Sequence, residues 1–183
     1  GKFGDFTYKY IDRVFFSSIS ENIFWTPLLN SLTVSFFATL IALILGLILA
    51  SLVTSTNILG RKYLGFLLII PYMLPSQAIA TAWITMFKNR KVSGPLGMLE
   101  AFGINPPDWL AYGPLPIAIC MALSYFPFAF LLFSNALNKI DIQLEEVATT
   151  LGAKTIAVWS KIIMPLLIPT TMSVLLLTVA RTL

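Results

Sequence analysis

A chain of 183 residues with 57% hydrophobic and 11% charged side chains, and a mean hydropathy of +0.86, is not a water-soluble globule, in which roughly 25% of residues are charged. Its 12 Lys and Arg outweigh 8 Asp and Glu to give a net charge of +4, scattered along the chain with no basic stripe; this suits an anionic lipid surface and speaks against nucleic acid. There is no histidine and only one cysteine, Cys120, so an internal disulfide is excluded and no His-based metal site, general base or proton relay is available.

Residues 1–28 combine Phe3, Phe6, Tyr8, Tyr10, Phe15, Phe16, Phe24 and Trp25 with Lys9, Asp12, Arg13 and Glu21. That is the composition of an external, interfacial segment, with amphipathic rings at headgroup level. The start has neither a charged n-region nor an apolar h-region, so it does not read as a signal peptide. Together with an end at LLLTVARTL, just as an apolar run finishes, it leads us to expect a piece of a longer membrane protein.

Four stretches carry no charge: between Glu21 and Arg61, from Tyr63 to Phe87, from Trp109 to Asn138, and from Ile162 to Ala180. Each meets the roughly 20 apolar residues needed to cross a bilayer as a helix. The runs are apolar on all sides, as in ATLIALILGLILASLV, whereas barrel strands alternate. The expected fold is therefore an all-α membrane bundle with spans near 29–53, 64–87, 114–137 and 163–181. A loop over 88–113, rich in Gly and Pro, should hold a short helix at LGMLEAF, and a hairpin should fill 139–162. Charge does not orient the bundle. Arg61, Lys62, Lys139, Lys154 and Lys161 on the hairpin side face Lys2, Lys9, Arg13, Lys88, Arg90 and Lys91 on the other.

Span two contains IIPYMLPSQAIA, where Pro71 and Pro75 each remove a backbone donor. Span three contains ALSYFPFAF, with Pro127 expected to act likewise. Polar groups beside such breaks, Tyr72, Ser76, Gln77, Ser124 and Tyr125, are candidates to line a pathway; ordinary interhelical hydrogen bonding is the competing explanation. The span interiors show no acid, Lys or His, and Arg181 is placed at a span end, where it would snorkel. No G-x-x-x-x-G-K-[ST] phosphate loop occurs. The residues assemble neither an ion-coupling relay, nor an ATPase, nor a catalytic site, so the chain is read as a non-enzyme that binds no cofactor itself.

The hairpin is the most informative stretch: EEVATTLGAKTIAVWSKIIMPLLIP, residues 145–169. Asp141 would cap a helix with Glu145 and Glu146 in its first turns, where carboxylates suit the helix dipole. Leu144, Val147, Ala148 and Leu151 form one apolar stripe, and Gly152 stands where a left-handed residue ends a helix. Thr155 would cap a second short helix, in which Ile156, Trp159 and Ile163 share a face, before Pro165 and Pro169 introduce the last span. The pattern alone is equally that of an interfacial hairpin tethering two spans.

The order Glu146, Val147, Ala148, three residues, Gly152, nine residues, Ile162, Ile163, Met164, Pro165 resembles the signature loop of binding-protein-dependent ABC transporter permeases: Glu-Ala-Ala, three residues, Gly, nine residues, Ile, any residue, Leu-Pro. Val147 and Met164 depart from it mildly. The segments FTYKYIDRVF, GPLGMLEAFGINPPDWL and LSYFPFAFLLFSNALNKIDIQLEEVATTLGA are similar to the type I permease domain, and closest to the amino-terminal half of ferric-iron-type two-domain permeases. The resemblance implies a fragment, residues 29–183, of a six-helix type I domain in the bacterial inner membrane. It implies that 139–162 is a cytoplasmic coupling hairpin, with Glu145, Glu146, Val147, Ala148, Leu151, Gly152, Ala153, Ile162, Met164 and Pro165 serving ATPase coupling. It further implies an ABC ATPase dimer carrying ATP and Mg, an external or periplasmic binding protein, a second permease domain, and ferric iron as cargo. Polyamine, phosphonate or another small solute are the alternative cargoes, and a membrane anchor recruiting another cytoplasmic protein is the alternative role.

Overall fold

The structure is a computed structural model and describes residues 15–17, 19–56, 58–140, 150, 152 and 154–182. Among these, the regular structure is all helix. The helices that matter are α1 (Thr26–Ser55), α2 (Arg61–Met73), α3 (Ser76–Phe87), α4 (Pro114–Leu137) and α5 (Met164–Thr182). A wide helical turn, Glu21–Trp25, runs straight into α1. The turns Thr155–Val158 and Trp159–Ile163 run straight into α5.

Three continuous stretches are long and apolar enough to cross a membrane: Glu21–Ser55, Asp108–Leu137 and Ile156–Thr182. The second expected span is instead a bent pair, with Tyr63–Met73 and Ser76–Phe87 meeting at 93°. The break falls at Leu74–Pro75, not at Pro71, which stays inside α2. Pro75 is extended (ψ 134°) and its carbonyl accepts Ala78 N–H at 2.9 Å, so it ends one helix and starts another. Pro127 breaks nothing; α4 continues through it and buries it. LGMLEAF forms a single turn, Met98–Ala101, because Gly97 and Gly103 bound it on either side.

α1 is apolar all round, so hydrophobicity does not say which side faces inward. Side-chain size does. Ala38, Ala42, Gly46 and Ala50, four residues apart, are fully buried, whereas Leu32, Phe36, Leu40, Ile44, Ile48 and Leu52 are exposed on another face. The small stripe meets α4, where Ala122, Ala129 and Phe130 are buried. Close backbone approach between small residues is how helices associate in lipid, where no hydrophobic force drives them together. At Gly46 the approach is complete. A Cβ there would lie 2.6 Å from Ala129 Cβ and 2.9 Å from Phe130 N. α2 and α3 wrap around α4, and α5 packs on both α1 and α4, burying Leu167, Val174 and Thr178.

Gly46→Val in the full-length protein should destabilise it by about 1–3 kcal/mol through overpacking. Gly65→Ala is the control, since the nearest atom to its Cβ would be Val53 Cγ1 at 4.0 Å. Thermal unfolding in detergent checks both; equal midpoints for the two variants would contradict the seam.

Candidate functional site

Two places matter: the turn that carries the signature loop, and the polar groups around the break. Glu145, Glu146, Val147, Ala148, Leu151 and Ala153 lie outside the described residues, as does most of the helix expected to open at Asp141. Gly152 is described, and its φ of +85° is the left-handed conformation expected of it. It is exposed, with nothing near the position a Cβ would take.

The arm that follows is not the separate short helix expected. It continues into α5, and the wide turn at Trp159–Ile163 shifts the helical register. The buried residues are therefore Val158, Ile163 and Leu167, while Ile156 is 82% exposed and does not share the buried face. Trp159 and Ile162 are half-buried against the same core, which includes Phe133 and Leu137 at the end of α4. Met164 and Pro165 are exposed. The arm that begins at Thr155 is thus continuous with the last span. Beside it, Asn135, Lys139, Pro169, Thr170 and Ser173 line an open cleft of about 720 Å³ between α4 and α5.

The five residues expected near the break do three different things. Tyr72 and Tyr125 converge on Arg181. The Tyr125 hydroxyl donates to the Arg181 carbonyl at 3.1 Å, and the Arg181 guanidinium donates to the Tyr72 hydroxyl. Ser76 and Gln77 are exposed and line a cleft of about 370 Å³ between α3 and α4, along with Trp83, Tyr112, Cys120 and Met121. Ser124 is 8% exposed and donates to Cys120 O at 3.0 Å within its own helix, as ordinary helical bonding would have it. The mouth of that cleft is fixed by Trp83 Nε1, which donates to Leu110 O at 2.8 Å.

Arg181 lies in the last turn of α5, at the end of the candidate span Ile156–Thr182. Its partners Tyr125 and Phe128 stand in the middle of α4, and its neighbour Thr182 is buried and hydrogen-bonded to Ser35 of α1. The sequence held one signal for this, a lone Arg following an uncharged run. Phe128, with its ring 5.1 Å from the Arg181 Cζ, had none.

A family model described as the binding-protein-dependent transport system inner membrane component matches residues 42–183. The chain belongs to this family. It is accordingly a multi-pass inner-membrane protein of permease type. A sulfate transport system permease protein of Salmonella typhimurium is 30% identical over 154 residues, covering 84% of this chain and 53% of the relative. A protein named for 2-aminoethylphosphonate transport, from the same species, is 30% identical over 156 residues, with 85% and 53% covered. The molybdenum transport system permease protein of Escherichia coli K12 is 29% identical over 145 residues, with 79% and 61% covered. The chain spans about half the length of the relatives it matches.

A side chain at Gly152 should carry a left-handed penalty of about 1–2 kcal/mol for Ala and less for Asn, which reaches that conformation by local hydrogen bonding. Amide hydrogen exchange over 154–158 should therefore speed up in Gly152→Ala and change less in Gly152→Asn. The same exchange in both variants as in the parent would show that the bend does not hold this arm.

Proposed function

We propose that the chain is part of the transmembrane subunit of an ATP-driven ABC importer, forming the substrate path and passing motion to it from a cytoplasmic ATPase dimer. The observation that carries the reading is Gly152. It is left-handed and exposed, at the position the signature loop reserves for glycine, three residues before an arm, Thr155–Ile163, that is continuous with α5. An amphipathic knob fixed to a span transmits a push; a floppy loop absorbs it. Glu145, Glu146, Val147, Ala148, Leu151, Gly152 and Ala153 supply the docking surface, and Ile162, Met164 and Pro165 join it to the span.

The ATPase dimer binds ATP and Mg, and its closure moves two such hairpins, one from each of two permease domains. A binding protein on the opposite face delivers the cargo. The switch in access runs through the break at Leu74–Pro75, with Tyr72, Ser76, Gln77 and Tyr125 beside the path. The permease performs no catalysis.

For the cargo, we infer a small tetrahedral oxyanion. Relatives are named for sulfate and for a phosphonate, both with a tetrahedral oxyanion group, and a third for molybdenum, which in oxygenated water exists as a tetrahedral oxyanion too. Of the cargoes expected from sequence, phosphonate gains support from these names and ferric iron gains none.

The test is reconstitution of the full-length permease with its ATPase and binding protein in proteoliposomes. Uptake of sulfate, molybdate, 2-aminoethylphosphonate and ferric iron is compared in parallel. Glu146→Lys should lower binding-protein-stimulated ATP hydrolysis by about tenfold, because it reverses a charge at the docking face. Gln77→Leu should lower uptake. Unaltered stimulation in Glu146→Lys would favour a membrane anchor over a coupled permease, and uptake of iron with none of the anions would replace the cargo assignment.

A further inference from the structure

A hydroxyl on a packed apolar helix ordinarily donates to the carbonyl one turn back, which satisfies it without water. Thr33 and Thr54 of α1 do so at 2.7 Å, and Thr171 and Ser173 of α5 at 2.9 and 3.0 Å. Among the described residues, three buried hydroxyl oxygens have no partner: those of Thr39, Ser134 and Thr178. Two of the three, Thr39 at 3% exposed and Thr178 at 1%, belong to one seam. Register places them there. α1 and α5 pack antiparallel: Ser35, towards the start of α1, bonds Thr182 at the end of α5, while Ala50 and Leu167 share a buried cluster at the opposite ends. Thr39 and Thr178 lie one turn in from the Ser35–Thr182 pair, on the same buried faces. The outer pair has its protons accounted for. Thr182 donates to Thr178 O at 3.0 Å and to Val179 O at 3.2 Å, so Ser35 donates to Thr182. The inner pair makes no bond of either kind.

Three explanations compete. A bridging water needs room that two side chains packed this closely do not give. Rotation of each side chain towards its own carbonyl, Ser35 O or Val174 O, would satisfy the two separately. It does not explain why the hydroxyls that forgo this bond stand opposite each other. The third explanation is a second packing of α5 on α1, in which the two meet. Of the two helices, α5 is the one free to shift. It continues from the arm Thr155–Ile163, whereas α1 is locked on α4 at Gly46.

We propose that the α1–α5 seam is a two-position joint, and that Thr39 and Thr178 hydrogen-bond to each other in the position α5 takes when its arm is pushed. In the structure, the Ser35–Thr182 bond holds and the inner hydroxyls carry the cost of burial without a partner. A shift of α5 by about 1–2 Å, ordinary for helices at switching interfaces, brings the inner pair together. The bond gained there offsets the strain placed on the outer one. The two positions then lie close in free energy, and a push on the arm selects between them. The inference rests on the coupled permease of the preceding section and adds the contact that holds its second position.

The test uses the full-length permease with its ATPase and binding protein in proteoliposomes, as Thr39→Val, Thr178→Val and the double variant. Valine keeps the shape and removes the hydroxyl. Each single change should raise the thermal midpoint in detergent by about 2–4 °C, because a buried hydroxyl without a partner is lost. The two rises should add, since the hydroxyls are not bonded to each other in this position. Binding-protein-stimulated ATP hydrolysis should fall roughly three- to tenfold in each single variant and no further in the double, because all three lose the same bond. Thr39→Ser and Thr178→Ser keep the hydroxyl and should keep the stimulation. Lower midpoints in the valine variants would show that the hydroxyls are already bonded, and would overturn the joint. Parental stimulation in both valine variants, or losses that multiply in the double, would overturn it too. A loss shared by the serine variants would assign these positions to packing and do the same. A parent whose ATPase is not stimulated at all would sink the coupled permease first, and the joint with it.

Discussion

The close approach of α1 to α4 is the constraint on which the other elements depend. Gly46 lies against the backbone of Ala129 and Phe130, and Ala38, Ala42 and Ala50 extend the small-residue stripe over about three turns. In lipid there is no solvent-driven collapse to hold two apolar helices together, so dispersion across a seam without gaps must supply the attraction. Once these two helices are fixed, α4 becomes the post around which the bent pair wraps, and α5 finds a groove between α1 and α4. Large side chains are left on the far side of α1, where they are exposed.

Against this rigid post, the bent pair and α5 carry the features a transporter needs. Pro75 removes helix continuity in the middle of the expected second span, giving two short helices at 93°. The arm after Gly152 enters α5 without a loop, so displacement at the turn reaches Arg181 along one helix. Arg181 in turn touches α2 through Tyr72 and α4 through Tyr125 and Phe128. The arm that leads into α5, the break and Arg181 are thereby joined by three helices in direct contact.

Much of this was legible in the sequence for simple reasons. Charge-free runs pointed to an all-helical membrane protein, because bilayer thickness fixes the helix length that such a run must reach. Gly152 announced its left-handed turn, because its place between two amphipathic segments leaves few other conformations. The errors have equally definite causes. Pro71 and Pro75 are indistinguishable as donors lost, and only packing decides that Pro71 is absorbed within α2. The wide turn at Trp159–Ile163 leaves no mark in composition, so a regular 3.6-residue period put Ile156 on one face with Ile163, whereas Val158 is the residue buried with it. The small stripe of α1 was hidden because Ala and Gly count as apolar alongside Leu and Ile, and size, not hydropathy, is what orients that helix. Arg181 falls at a span end as expected, but its contacts with Tyr72, Tyr125 and Phe128 depend on how three helices pack and leave no mark in the sequence.

The central claim is that the turn at Gly152 passes force between an ATPase and the spans. A cysteine introduced at Ala153 in the Cys120→Ser full-length protein, assembled with an ATPase carrying cysteines around its surface cleft, tests it most directly. The account predicts a disulfide crosslink whose yield changes when ATP is added. No crosslink in an assembled complex that still transports would contradict it.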